Sequence, residues 1–488
     1  MEPEEAEVAA FLGAGAERVI ETACARVFLT ADAAFKVKRH VALGYVDFTT
    51  LERRSWAIGR ELDFNRATAP DIYRAARRLT RRADGGLELD GPGPTVEAVL
   101  EMRRFDETAV LSVRPEAIDG ALCEALGRGV AASHAAAPVR PEAGGGAGIA
   151  YTLDSNAELL RGLGARLGRE QVERLIAGSQ AAFRRLEPLL EARRAAGFVR
   201  RCHGDLHLGN ILLEAGRPVL FDCIEFNDKL SEIDVLYDLA FLLMDLEFRG
   251  RRDGAVRVLS AYLDQAARRF PPTLWDGLAA LPLMLSMRAA VRAHVSANSG
   301  DDAVAGRYLD AALAHLDPPP PRLMAVGGLS GTGKTTYARA VAPTFGPSPG
   351  AVILRTDEIR KRLAGVAPED RLGPEAYTAE RDAAVHGALF ADAARALAAG
   401  RAVILDATFM DPARRQAAEA VAAVAGVAFE GVWLEVAPDV ARARLAARRG
   451  DASDATAAVL ARQLAADVGA ITWTRRWAAD ASAPAQRP

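Results

Sequence analysis

Two short alternating runs near the start, ARVFLT and AAFKVKR, are joined by Ala31-Asp32. Their period of two predicts an antiparallel hairpin. TLERRSWAIGRELDFNRAT follows with helical spacing. Thr49-x-x-Glu52 reads as a capping box at its start, and Pro70 stops it. After the turn GPGP, the run TVEAVLEMRRF returns to strand. The stretch AAPVRPEAGGGAGIA, Ala136 to Ala150, predicts a loop. Beyond Tyr151 the pattern is mostly helical up to AGRYLDAALAHL. DPPPPR, Asp317 to Arg322, cannot continue a helix and forms a stiff spacer. After it, LMAVGG, TTYARAV, AVILRT, DEIRKRL, AVILDAT and VWLEV alternate strand with helix, which predicts a parallel sheet covered by helices. The pattern as a whole predicts an α+β bilobal domain over 1–316, a Pro-rich linker over 317–322, an α/β domain over 323–480 and a disordered tail over 481–488. No internal repeat is visible.

Composition narrows the function classes. A length of 488 residues exceeds one core and suits two large units or about three smaller ones. The net charge is −3, which gives no global attraction to nucleic acid or to acidic membranes. Four cysteines (Cys24, Cys123, Cys202, Cys223) lack CxxC spacing, so neither a disulfide framework nor a zinc knuckle is expected. The opening MEPEEAEVAAFL is acidic where a signal peptide is basic, and no uncharged apolar run reaches the roughly 18 residues of a membrane span. These features predict a cytoplasmic protein.

HGDLHLGNILLEAGRPVLFDCIEF, His203 to Phe226, is the first stretch with readable chemistry. His203 and His207 are four apart, as in a zinc-binding HExxH helix, but Gly204 and Gly209 oppose a helix and the glutamate base is missing. The spacing of His203, Asp205 and Asn210 instead fits a kinase catalytic loop, H-x-D-x-x-x-x-N. In that reading Asp205 accepts the proton of a substrate hydroxyl, and Asn210 holds magnesium. The hairpin ILLE-AGR-PVLFD then returns Asp222 beside Asn210 as a second magnesium ligand.

These residues resemble the aminoglycoside phosphotransferase family, whose fold is protein-kinase-like. The later EIDVLYDLAFLLMDL is similar to a helix of that family, in which Asp234 and Asp238 are structural. The resemblance covers roughly residues 20–316. It implies a phosphate-binding lysine on the third strand, Lys36 first and Lys38 second, held by a glutamate on the first helix, Glu61 ahead of Glu52. It also implies a hinge at EMRRF whose backbone meets adenine. The stretch ETACARVF stands where the family places a glycine-rich loop, and it has no glycine.

GLSGTGKT, Gly328 to Thr335, matches G-x-x-x-x-G-K-[ST] in full, between a strand and a helix. Successive amides of Gly328, Ser330, Gly331, Thr332, Gly333 and Thr336 would cradle phosphates at a helix N-terminus. Lys334 would reach the outer phosphates, and Thr335 would bind magnesium. Asp357 follows the next strand as a second candidate base, with Arg360 three residues on as a grip for an anionic group. Asp406 ends another buried strand, where a carboxylate can hold magnesium or its water. Arg444 and Arg448 share a helix face and could close on the transferring phosphate. TDEIRK, DATF and RLAARRG look like the small P-loop kinases of the zeta-toxin, polynucleotide-kinase and gluconate-kinase group, an AAA-type likeness over roughly 322–475.

The expected function is a pair of kinases in one chain, each using ATP and Mg2+ to phosphorylate a small-molecule hydroxyl. Few aromatics in the second part argue against a nucleic-acid substrate. Two alternatives stand beside it. One is a nucleotide-dependent regulator in which one half gates the other, and the other is a toxin-like kinase of nucleotide sugars. Neither a membrane partner nor an oligomeric state can be read from the residues.

Overall fold

The computed structural model describes residues 3–43, 46–447 and 452–477. The expected tail 481–488 lies outside them. The chain folds as two compact units, one built from residues 1–118 and 200–233, the other from 119–199 and 234–488.

The first unit is organised on a six-stranded antiparallel sheet. Its strand order is Arg18–Glu21, Ala25–Leu29, Ala33–Lys38, Thr95–Arg103, Tyr73–Arg81, Leu87–Leu89. The predicted hairpin is the pair Ala25–Leu29 and Ala33–Lys38. Alternation gives the sheet two faces. On one face Ala34, Leu100 and Met102 pack with Ile58 and Leu62 of the helix Leu51–Arg66. On the other, Phe28, Val37 and Val99 pack with Val8 and Leu12 of an N-terminal helix, Pro3–Gly13. Each fully buried side chain of this size contributes about 1.5–3 kcal/mol. Val37 points to the N-terminal helix, so Lys36 and Lys38 point to the opposite face, toward the helix that carries Glu61.

Two local expectations change. The cap of the helix Leu51–Arg66 is Thr50, whose hydroxyl accepts from Arg53 N, while Thr49 bonds the Asp47 carboxylate. An aspartate two residues upstream captures the Thr49 hydroxyl and shifts the start by one residue. The strand Thr95–Arg103 absorbs Glu101 to Arg103, so part of the expected hinge is sheet.

The second unit begins with helices. The expected loop at Ala136–Ala150 is shorter, because one helix ends at Ala136 and the next, Gly145–Gly162, starts inside the glycine run. Gly145, at φ +59°, packs against Glu191 and Arg194, so the glycines allow a close approach rather than a flexible tether. The helix Val235–Phe248 is buried from Val235 to Leu246. Asp234 caps it and takes two bonds from the buried Arg193, at 2.7 and 2.8 Å. Asp238 meets His134 at 3.0 Å. The segment Pro272–Asn298 is long and apolar enough to cross a membrane by length and composition, but 78% of its apolar window is buried inside the fold.

The same unit holds a five-stranded parallel sheet in the order Val352–Arg355, Val403–Asp406, Arg322–Gly327, Ala428–Glu435, Thr474–Trp477. The last of these strands was not apparent from the sequence. The strand leading into GLSGTGKT is central, so its C-terminal end opens between neighbours on both sides.

Candidate active sites

Each unit places one group of candidate residues together. In the first unit Lys36 Nζ donates to Glu61 Oε1 at 2.6 Å and to Asp222 Oδ1 at 3.0 Å. Lys38 Nζ donates to the other oxygen of Glu61 at 2.6 Å and to Glu225 Oε1 at 2.5 Å. Glu61 is fully buried. Burial alone would raise its carboxyl, but Lys36 and Lys38 outweigh it and hold Glu61 at about 2. Burial pulls Lys36 down, and Asp222 and Glu61 reverse this and hold its ammonium charged. The result is a ladder of alternating charge, Asp222–Lys36–Glu61–Lys38–Glu225. Lys36 is the rung beside the partly exposed Asp222, while Lys38 is buried between Glu61 and Glu225.

The predicted catalytic loop folds around its histidines. Asp205 N donates to His203 Nδ1, and His203 Nε2 lies 2.9 Å from Phe221 O. His207 Nδ1 accepts from Gly209 N at 3.0 Å and caps the turn Leu208–Asn210. Both rings hold the loop in shape. Asn210 Nδ2 donates to Asp205 O and Oδ2, at 2.9 and 3.0 Å, which leaves Oδ1 as the amide oxygen available to a cation. Phe221 N donates to Asn210 O, so the hairpin delivers Asp222 one residue past Asn210. Asp222 sits at φ +61° with its N–H donated to Tyr73 Oη. A non-glycine residue held there is a fixed, mildly strained position. Oxygens from Asn210 and Asp222, with a lysine alongside, form a donor set that fits a magnesium-bound triphosphate. The Asp205 side chain is 37% exposed, open to an incoming hydroxyl.

In the second unit the glycine loop takes the required shape. Gly328, Gly331 and Gly333 have φ of +137°, +84° and +91°. A Cβ on Gly331 would lie 2.7 Å from Ala441 O of the helix Pro438–Ala447, so the loop is closely packed as well as turned. Lys334 opens the helix Lys334–Val341, and its Nζ donates to Leu329 O at 2.9 Å, folded over the loop. Thr335 Oγ1 donates to Asp406 Oδ2 at 2.6 Å. A hydroxyl and a carboxylate in contact beside an amide nest are the donors a phosphate-bound magnesium takes, so the residues fit that group. A cavity of about 930 Å3 holds Ser330 to Thr336, Asp357, Arg360, Asp406 and Arg444 along its lining. Arg444 Nη1 lies 3.4 Å from Thr332 O.

Three findings were not visible in the sequence. Gln463 Oε1 accepts from Ser330 N at 2.8 Å and Thr408 O from Gly328 N at 3.1 Å, so these two amides, expected to face phosphate, instead fix the loop to its neighbours. Arg360, read as a grip for an anion, donates to Asp382 Oδ1 and to Ala376 O, at 2.5 and 2.8 Å. Asp454, in the wall of the same cavity, gathers Lys361 Nζ, Leu372 N and Tyr377 Oη. Arg448 lies outside the described residues.

Residues 52–281 match the model of the phosphotransferase enzyme family, and residues 323–466 match that of an AAA domain. Two curated relatives align over nearly the whole chain. The uncharacterized proteins Rv2004c of Mycobacterium tuberculosis (strain ATCC 25618 / H37Rv) and Mb2027c of Mycobacterium bovis are each 32% identical over 485 residues, spanning 92% of this chain and 91% of the relative. The chain belongs to this two-domain family. It joins an aminoglycoside phosphotransferase-like kinase domain to a P-loop kinase domain, so both parts are of kinase type. Among solved structures, a choline/ethanolamine kinase family protein from Mesorhizobium loti is 15% identical, with 65% of this chain and 99% of that one covered and a TM-score of 0.36. A gluconokinase from Sinorhizobium meliloti 1021 is 19% identical, with 34% and 89% covered and a TM-score of 0.24.

Proposed function

We propose that the protein is a magnesium-dependent phosphotransferase with two catalytic parts, residues 1–316 and 323–480, joined by the linker 317–322. Each part moves the terminal phosphoryl group of ATP to a hydroxyl of a small molecule such as a sugar or aminocyclitol. Magnesium-bound ATP supplies the transferable phosphoryl group and the charge that the donor sets are built to meet. In the first part Lys36, fixed by Glu61, binds the phosphates. Asn210 and Asp222 hold the cation. Asp205 takes the proton of the acceptor hydroxyl as its oxygen bonds to phosphorus and the bond to the leaving diphosphate breaks. In the second part the amides of Gly331 and of Gly333 to Thr336, the Lys334 ammonium and Arg444 bind the phosphates. Thr335 and Asp406 serve the cation, and Asp357 is the base.

The observation that carries this reading is the Lys36–Glu61–Asp222 contact, which joins a strand, a helix and the catalytic hairpin from segments up to 186 residues apart. Neither nucleic acid nor a membrane is proposed as a partner, and the place of action is the cytoplasm. The test is ADP release against a panel of sugars, aminocyclitols and nucleosides, with Asp205→Asn and Lys334→Ala chains compared. Each variant should lose one set of acceptors. Full activity of both variants on every acceptor would reject the assignment.

A further inference from the structure

Arg355 ends the edge strand Val352–Arg355, and its side chain is only 6% exposed. Nη1 donates to Glu358 Oε1 at 2.9 Å, and Nε lies 3.4 Å from Asp406 Oδ2. That same oxygen accepts from Thr335. A guanidinium thus meets the carboxylate oxygen that the P-loop threonine uses. Around Arg355 lies a dense set of charges. Glu124 accepts from Arg257 at 3.0 Å and pairs with Arg339. Arg362 bridges Asp264 and Asp392, at 3.1 and 2.5 Å, and Arg268 lies 3.8 Å from Asp264.

Arg339, Arg355, Glu358, Arg362, Asp392 and Asp406 follow the proline run. Two pairs reach back across it, Arg339 to Glu124 on the helix Gly120–Ala136 and Arg362 to Asp264 on the helix Arg252–Ala266, and Arg257 and Arg268 add charge beside those carboxylates. The second of these helices does more than supply charge. Ser260 Oγ accepts from Ile353 N of the edge strand at 3.1 Å, and Val256 joins Val326, Ile353 and Ile404 in the core of the parallel sheet. An edge strand offers unpaired backbone groups, and this helix covers them. Charges buried this far are stable only while their partners stay in place.

We propose that Arg355, itself held by Glu358, is a positioning residue for Asp406, and that the Glu124–Arg339 and Asp264–Arg362 pairs, whose carboxylates come from the helices Gly120–Ala136 and Arg252–Ala266, keep this cluster in place, so that the P-loop site is complete only with those helices packed against it. This rests on the P-loop site binding a magnesium nucleotide. Arg355 acts on Asp406 rather than on substrate. It fixes the orientation and charge of Asp406, and Glu358, Asp264 and Glu124 keep the surrounding arginines from collapsing onto that carboxylate. The planar guanidinium spans Glu358 and Asp406 at once, which a lysine can only partly reproduce.

The test is equilibrium binding of a fluorescent ADP analogue to the full chain, titrated with Mg2+. Subtracting the Lys334→Ala chain isolates the P-loop component. Arg355→Met should raise the Mg2+ midpoint at least about tenfold, the usual effect of losing a residue that orients a metal ligand. Metal-free nucleotide affinity should change less than about twofold, because Arg355 acts on the cation ligand. Arg355→Lys should recover part of the midpoint, and Asp264→Asn should shift it in the same direction as Arg355→Met. A purely structural role would lower the melting temperature and weaken both affinities together, and that result overturns the proposal. If Arg355→Met fails to fold, an unshifted Mg2+ midpoint in both Arg355→Lys and Asp264→Asn overturns it equally. Binding in the parent that is indifferent to Lys334→Ala would instead reject the P-loop site itself, and the inference with it.

Discussion

Glu61→Gln is the most informative single change in the kinase-like site. Glu61 has no exposed surface and is shared by Lys36 and Lys38, each at 2.6 Å. Its carboxyl is held at about 2 against an ordinary value of 4.5. A folded value below the unfolded one means that the contribution is fully present above pH 4.5 and is lost as pH falls from there toward 2. The difference corresponds to about 3 kcal/mol at pH 7, at 1.36 kcal/mol per unit. By the same linkage it is about 1 kcal/mol smaller at pH 4. The amide also leaves two buried ammonium groups short of a partner, which puts the total cost at roughly 3–5 kcal/mol. Hydrogen exchange of the amides in Ala33–Lys38 and Thr95–Arg103 reads this locally. The variant should lose protection at pH 7, and the gap to wild type should narrow at pH 4. A gap below about 1 kcal/mol at pH 7, or one that is the same at both pH values, would refute the charge ladder.

Three further outcomes follow from the same contacts. Asp205→Asn should lower acceptor-dependent ADP release by about 10²–10⁴-fold with little change in ATP affinity, the mark of a lost base, read by single-turnover kinetics. Arg193→Met leaves Asp234 buried without its two bonds and should cost about 3–5 kcal/mol in urea unfolding, part of which the added Asp234→Asn restores. Burial pushes the Cys123 thiol up to about 12, with Arg251 opposing, so iodoacetamide at pH 8 should spare it in the native chain and modify the half-buried Cys24 first.

The residues of both sites were legible where chemistry demands fixed local spacing. His203, Asp205, Asn210 and Asp222 lie within one loop and hairpin, and GLSGTGKT lies within one turn, so their geometry is encoded by neighbours in the chain. Lys36 and Lys38 were placed on one face by period two alone, and both reach Glu61. What stayed hidden depends on distant partners. Glu225 completes the ladder and Gln463 caps the glycine loop, yet each is an ordinary polar residue in its own segment. The helix Arg252–Ala266 carries an unremarkable amphipathic pattern, and nothing in it announces that Val256 and Ser260 serve a sheet that begins at Arg322. Arg360 shows the converse, since the spacing placed it near Asp357 but Asp382 takes its guanidinium.

The central claim is that one chain holds two magnesium nucleotides by unrelated means. Calorimetric titration of a non-hydrolysable ATP analogue with Mg2+ tests it most directly. Wild type should bind two equivalents, Lys334→Ala and Lys36→Met one each, and the double variant none. Binding that survives in the double variant, or a wild type that takes up no nucleotide, would contradict the account.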